Sequence, residues 1–294
     1  MSQVSARRGT VYVSVAAVAW GTGGAAGALL FQSGGLGPAG VSLWRYLLGG
    51  AILLLVSART AFSGGSGRVT RAGWRQTVVV GVAMAVYQTA YFAAIARSGV
   101  AIATVVTMGA TPVLTALGGR FLLGERLGGV GRFSLLAALG GLVLLSAESV
   151  AGGSRDLAGV GFALLSALGY GGVTLYSRHR HGDPEGIAIG GFAVGALCLV
   201  PFALQDGVLP QVSLTSVGLL LYLGAVPTAL AYGLFFRALT ALKATTVSII
   251  SLGEAVAAAL LGVVLFGEHL TALAWSGCVL LMAAVVVLTV HGQR

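Results

Sequence analysis

The chain has 294 residues, of which 57% are hydrophobic and 9% charged, with a mean hydropathy of +0.96. A soluble domain carries about 25% charged residues, so a chain this poor in charge cannot cover a water-facing surface, and lipid is its expected solvent. The net charge of +9 does not suit a nucleic-acid binder: the basic residues sit in short gaps between apolar runs, not in a polar patch, as in loops beside anionic lipid.

A membrane-crossing helix needs about 20 apolar residues. By that measure the sequence predicts ten, at 10–32, 38–57, 74–96, 99–121, 128–147, 158–178, 186–205, 213–236, 243–266 and 271–290. The gaps are short and carry turn residues, as at Ser33-Gly34-Gly35 and Ser63-Gly64-Gly65-Ser66-Gly67. The breaks near Arg97 to Gly99 and near Arg237 to Lys243 are the least sharply marked.

Helix 1 follows Arg7 and Arg8 with no signal-peptide cleavage pattern. It carries Trp20 and the run Gly21-Thr22-Gly23-Gly24-Ala25-Ala26. That run fits a loose dinucleotide-binding fingerprint, but no strand precedes it. Gly23 and Gly27, four apart, read instead as a helix-packing pair. Helix 2 holds Pro38 near its start and Arg45 in its first third. Arg45 is read as a gating or structural arginine that bonds helix ends; it can also face a solute carboxylate or pair with an acid.

Helix 3 carries Tyr87, Gln88 and Tyr91, with the tyrosines one turn apart. Helix 4 carries Thr104, Thr107, Thr111 and Thr115, which spacings of 3, 4 and 4 place on one face. These hydroxyls either line a polar path or bond back to carbonyls of their own helix. Pro112 in the same helix frees a carbonyl and favours a kink. Glu125 and Glu268 are read as caps and structural pairs at helix starts, where a carboxylate complements the dipole. Helix 6 holds Tyr170, and helix 9 holds Ser251 and Glu254.

Glu254 is the sharpest candidate. An unpaired carboxylate near mid-membrane costs several kcal/mol, so it must face a cavity, be protonated or be paired. It can bind a solute ammonium or take up a coupling proton; alternatively it is a neutral carboxyl that holds helix packing. Trp44, Trp74, Tyr222 and Trp275 suit an interfacial aromatic belt. Cys198 and Cys278 lie in apolar runs and read as packing residues. His179, His181, His269 and His291 are scattered and form no metal-ligand spacing, so neither metal nor cofactor is expected.

The most informative feature is internal. Leu122-Leu123-Gly124-Glu125-Arg126-Leu127 resembles Leu265-Phe266-Gly267-Glu268-His269-Leu270, 143 residues later. The same offset pairs Thr111-Pro112 with Glu254-Ala255 and Phe92 with Phe235; a slightly larger one pairs Trp20-Gly21 with Tyr170-Gly171. Helices 1–5 (residues 1–150) therefore repeat as helices 6–10 (residues 151–294). Five is odd, so the halves face opposite ways, a signature of secondary transporters with a site near the midplane. The expected fold is an all-α membrane protein of ten transmembrane helices in two inverted five-helix repeats.

Lys and Arg set the orientation. With the N-terminus inside, the cytoplasmic segments hold most of the basic residues, from Arg7 and Arg8 through Arg178 and Arg180 to Arg294, whereas the outer loops hold Arg97 and Arg155. A multi-pass protein of the cell (plasma) membrane with both termini cytoplasmic is expected.

This pattern resembles the drug/metabolite transporter superfamily, specifically its EamA-type members. The matching residues are Trp20-Gly21, Pro38, Arg45, Thr111-Pro112 and Leu-Gly-Glu-Arg-Leu at 123–127. In the second half they are Phe236-Arg237-Ala238-Leu239, Glu254 and Phe-Gly-Glu-His-Leu at 266–270. Ala255 departs from the family, which often has proline after the glutamate, and leaves a kink in helix 9 open. The resemblance implies alternating-access transport, commonly export, of small metabolites such as amino acids. By analogy with the family's central site, Trp20, Tyr87, Gln88, Tyr91 and Tyr170 join Thr107, Thr111, Ser251 and Glu254 as candidate solute-binding residues. The expected partners are a small-molecule solute, protons as a candidate coupling ion, and membrane lipid, with no nucleic acid and a monomeric state. Alternatives are an exporter of drugs or toxic compounds and a channel-like uniporter. An enzyme is not expected, because no cluster of acids, bases and nucleophiles shares one membrane depth.

Overall fold

The computed structural model of the protein describes residues 4–33, 36–62, 73–151, 156–180, 183–211, 213–267 and 269–291. Glu268, Arg155, His181, Arg294 and the turns at 63–67 and 152–154 lie outside them. The described residues are overwhelmingly helical and contain no strand. The helices are α1 (Ala6–Ser33), α2 (Pro38–Phe62), α3 (Trp74–Ser98), α4 (Ile102–Leu122), α5 (Gly129–Ala151), α6 (Leu157–Arg180), α7 (Pro184–Asp206), α8 (Leu214–Ala241), α9 (Ala244–Ser251 and Gly253–Phe266) and α10 (Ala272–His291). Among the described residues α2 to α10 are each long and apolar enough to cross a membrane, and α1, of 28 residues, completes ten transmembrane helices.

The expected break between helices 3 and 4 takes an unexpected form. Helical backbone runs from Trp74 to Leu122 without interruption, yet the Tyr91 and Thr104 hydroxyls are 2.5 Å apart. Thirteen residues of straight helix would separate them by about 20 Å. The run therefore doubles back after Ser98, and α3 and α4 lie side by side. Helical backbone also continues through Pro112.

Packing follows a two-fold plan. α1 lies against α8 and α9, and α6 lies against α3 and α4; α2 pairs with α7, and α5 pairs with α10. Adding five to a helix number maps each contact onto another. The repeat reaches single residues. A Cβ on Gly21 would meet the Glu254 carbonyl at 2.9 Å, and one on Gly171 would approach the Thr111 carbonyl at 4.0 Å. Gly124 and Gly267, the glycines of the two repeated motifs, both adopt φ +66°, a left-handed conformation that suits glycine at a helix end. The inverted ten-helix fold expected from the sequence is the fold observed.

The termini share one side, called the terminal face below. α1, α3, α5, α7 and α9 run away from it to the far face, and the even-numbered helices return. The far ends of α2 and α7 are tied together by Gly37 N–H to the Gly207 carbonyl at 3.3 Å and by Trp44 Nε1–H to the Val208 carbonyl at 2.9 Å.

Candidate functional site

A cavity of about 200 Å³ sits in the middle and far half of the bundle. Its lining includes Trp20, Gly23 and Gly27 of α1; Pro38, Val41, Ser42 and Arg45 of α2; Tyr87, Gln88, Tyr91 and Phe92 of α3; Met108 of α4; Tyr170 of α6; Leu223 and Tyr232 of α8; and Glu254 of α9. Both halves of the chain contribute walls.

Glu254 reaches this cavity because α9 breaks beside it. Leu252 ends one helical segment and Gly253 starts the next. The Ala255 N–H bonds to the Leu252 carbonyl at 3.1 Å, a tightened i to i−3 turn. The break forms without proline at position 255, because Gly253 weakens the helix there. Glu254 thus occupies the first turn of the second segment, where the positive end of the helix dipole favours a carboxylate.

Arg45 is held from the opposite repeat. Residues 225–230 of α8 form a π-helical turn around Pro227, which has no N–H to give to the ladder. The Leu223 carbonyl accepts instead from the Thr228 hydroxyl at 2.6 Å. The Thr228 oxygen in turn accepts from Arg45 Nε at 3.3 Å. Arg45, read from the sequence as structural, lies in the cavity wall. No ion pair joins it to Glu254 among the described residues. The site therefore holds a guanidinium and a carboxyl group out of contact, in a membrane interior where an isolated charge costs about 3 kcal/mol or more.

Aromatic rings form the floor. Trp20 meets Tyr170 at 6.4 Å, Tyr232 at 5.1 Å and Phe235 at 5.4 Å between centroids. Tyr87 packs on Tyr170 at 5.3 Å, and Tyr170 stacks on Phe235 at 5.9 Å. The indole N–H of Trp20 is buried with no hydrogen-bond partner among the described residues, which leaves a donor in the cavity wall for a guest molecule or water to meet. The Gln88 amide donates to Ser42 Oγ at 2.8 Å.

Six of the nine candidate solute-binding residues line the cavity: Trp20, Tyr87, Gln88, Tyr91, Tyr170 and Glu254. Thr107, Thr111 and Ser251 are buried behind the wall. Thr107 donates to the Ala163 carbonyl of α6 at 3.1 Å, Thr111 to Thr107 at 2.7 Å and Ser251 to Val247 at 2.9 Å. Thr111 and Ser251 thus bond back to their own helices, whereas Thr107 ties α4 to α6. The glycine pair also divides: Gly23 packs on Pro227, whereas Gly27 faces open space. Tyr232 was not singled out from the sequence. Its signal is the aromatic set Tyr232, Phe235 and Phe236, spaced i, i+3 and i+4 on α8.

Below the floor, the terminal face is locked by ion pairs. Arg178 Nε lies 3.2 Å from Glu125 Oε1, and Arg178 Nη1 donates to the Leu239 and Thr240 carbonyls at 3.0 and 3.2 Å. The other Glu125 oxygen accepts the Ala244 N–H at 3.1 Å. Glu125, expected as a cap and structural pair, pairs with Arg178 and caps the start of α9, not the helix after it, and so bridges the repeats. A second cluster joins Arg237, Glu185 and Ser57 across α8, α7 and α2. Both Glu125 and Arg178 are mostly shielded, so their pair outweighs the exposed Arg97–Asp156 pair of the far face.

Among known proteins, the sequence profile of the EamA-like transporter family matches residues 7–147 and again 157–290. An uncharacterized transporter, YwfM, from Bacillus subtilis is 30% identical over 97% of this chain and 95% of its own length. The uncharacterized inner membrane transporter YicL of Salmonella typhimurium is 24% identical over 99% and 98%. A solved crystal structure superposes with a TM-score of 0.83 over 97% of this chain and 98% of the other; at 23% identity the likeness is one of fold.

Proposed function

This chain belongs to the EamA-like transporter family, and from that premise we propose that it exports small zwitterionic metabolites, amino acids or solutes like them, by alternating access. The observation that carries the reading is the pair Arg45 and Glu254, two opposite charges lining one cavity without contact. A guanidinium suits a carboxylate, and a carboxylate suits an ammonium. The aromatic floor suits the apolar remainder of such a solute, and Trp20 Nε1 offers it a free donor. The volume of about 200 Å³ lies below the 300–1,000 Å³ of sites for drug-sized molecules, which favours a small metabolite over a drug.

The basic residues support a cytoplasmic terminal face, since among the described residues the far face carries only Arg97. On this reading the structure has its cavity toward the outside and its cytoplasmic side closed by the Glu125–Arg178 and Glu185–Arg237 pairs. Export requires both to open when the cavity turns inward. Glu254 alternates between solute ammonium and a proton, which links outward solute movement to the proton gradient.

Gly27 provides a test that spares the fold, because a Cβ there meets nothing within 4 Å. Gly27→Leu is expected to raise KM for bulky solutes roughly ten-fold in proteoliposome counterflow, as overpacking by one side chain does, with small solutes little affected. Unchanged KM for every solute would place the transport path elsewhere.

A further inference from the structure

A second cavity, of about 440 Å³, lies away from the central one. It is an apolar groove between α3, α4 and α6 at the terminal face, walled by Val79 and Ala83, Leu122, and Gly172, Leu175 and Tyr176. It runs from His179 at its mouth to Gly172, seven residues or about 10 Å deeper along α6. A Cβ on Gly172 would meet nothing within 4 Å, so the groove is open to its inner end.

Three arginines lie on the helix turns nearest its mouth. Arg75 lies one turn before Val79, with its guanidinium 5.5 Å from the ring of the exposed Trp74. Arg120 ends α4 and Arg180 ends α6. The acid at this corner, Glu125, is already taken by Arg178. Arg75, Arg120 and Arg180 have no acidic partner among the described residues. The pseudo-two-fold equivalents of these helix ends are the far ends of α8, α9 and α1, where the described residues include no Lys or Arg. Apolar depth and unpaired positive charge therefore coincide on one side only.

We propose that this groove binds one anionic phospholipid, with an acyl chain lying along α6 toward Gly172 and its phosphate among Arg75, Arg120 and Arg180. A zwitterionic lipid would offer the same chain but no net charge to the three arginines. α6 also supplies Tyr170 to the central cavity and Arg178 to the terminal-face lock, so the lipid would rest against a helix that both sites share.

Native mass spectrometry of the full chain in neutral detergent, titrated with dioleoyl phosphatidylglycerol or dioleoyl phosphatidylcholine, tests this. One phosphatidylglycerol is expected to remain bound, preferred over phosphatidylcholine by roughly thirty-fold if two arginines contact its phosphate. Gly172→Phe should plug the groove and remove that adduct. Arg75→Gln, Arg120→Gln and Arg180→Gln together, all at the surface, should lower phosphatidylglycerol retention to the phosphatidylcholine level. The proposal is overturned if the adduct survives Gly172→Phe, or if the two lipids bind the wild-type chain equally. It is equally overturned if Gly172→Phe changes the oligomeric state and leaves the adduct intact, since a second copy would then occupy the groove.

Discussion

Glu254→Gln is expected to cut solute counterflow by roughly 30- to 1,000-fold, the equivalent of about 2–4 kcal/mol for truncating one partner of a desolvated charge pair. The substitution keeps size and hydrogen-bonding capacity but removes the charge. It leaves Arg45 as an uncompensated cation in the cavity, which favours anions over zwitterions. Stability should change little, because the Glu254 carboxylate makes no ion pair among the described residues whose loss would unfold α9. Flux through the variant should also no longer vary with the imposed pH gradient, because the proton-exchanging carboxyl is gone. Counterflow in proteoliposomes at matched protein density, with thermal unfolding alongside, reads both effects. Wild-type flux with wild-type pH dependence would remove Glu254 from binding and coupling.

The second large effect concerns the fold around that residue. Gly21→Val should abolish stable expression or lower the unfolding temperature markedly, with transport lost. A Cβ at Gly21 would stand 2.6 Å from the Ala257 Cβ, 2.9 Å from the Glu254 carbonyl and 3.0 Å from the Ala258 nitrogen. Two of these neighbours are backbone, so α1 and α9 must part. Helices in lipid are held chiefly by such close packing, and overpacking costs about 1–3 kcal/mol or more. Gly171, its mate in the second repeat, is looser, with Thr115 Oγ1 at 3.4 Å as the nearest atom. Gly171→Ala should therefore be tolerated, and Gly161→Ala, which meets nothing within 4 Å, should be silent. Equal unfolding temperatures for Gly21→Val and Gly161→Ala would contradict this packing.

The fold was legible because lipid imposes simple arithmetic. Apolar length marks the spans, and the motifs at Gly124 and Gly267, 143 residues apart, mark the repeat. Their shared φ of +66° is the physical reason that the motif carries glycine twice. The polar lining was partly legible, since Glu254, Gln88 and the aromatic rings are expensive or bulky in lipid and must face inward. What misled was reading a face as a destination. The threonine stripe of α4 does face inward, but at Thr107 and Thr111 a helix wall stands there instead of the cavity. The anchor of Arg45, Thr228, could not be read ahead, because it lies on a π-helical turn 183 residues away with no periodic signature. Tyr232 was missed because each of its neighbours Phe235 and Phe236 reads as ordinary core. The cap and pair expected of Glu125 are there, but a sequence cannot show that its two oxygens reach α6 and α9.

The most direct test of the central claim compares three solutes of matched size in proteoliposome counterflow: an amino acid, the amine that lacks its carboxylate, and the acid that lacks its ammonium. A site with Arg45 and Glu254 lining one cavity out of contact should exchange the zwitterion saturably and move the other two at least ten-fold more slowly, each having lost one charged contact. Equal exchange of the amine or the acid, or flux that never saturates, would contradict it.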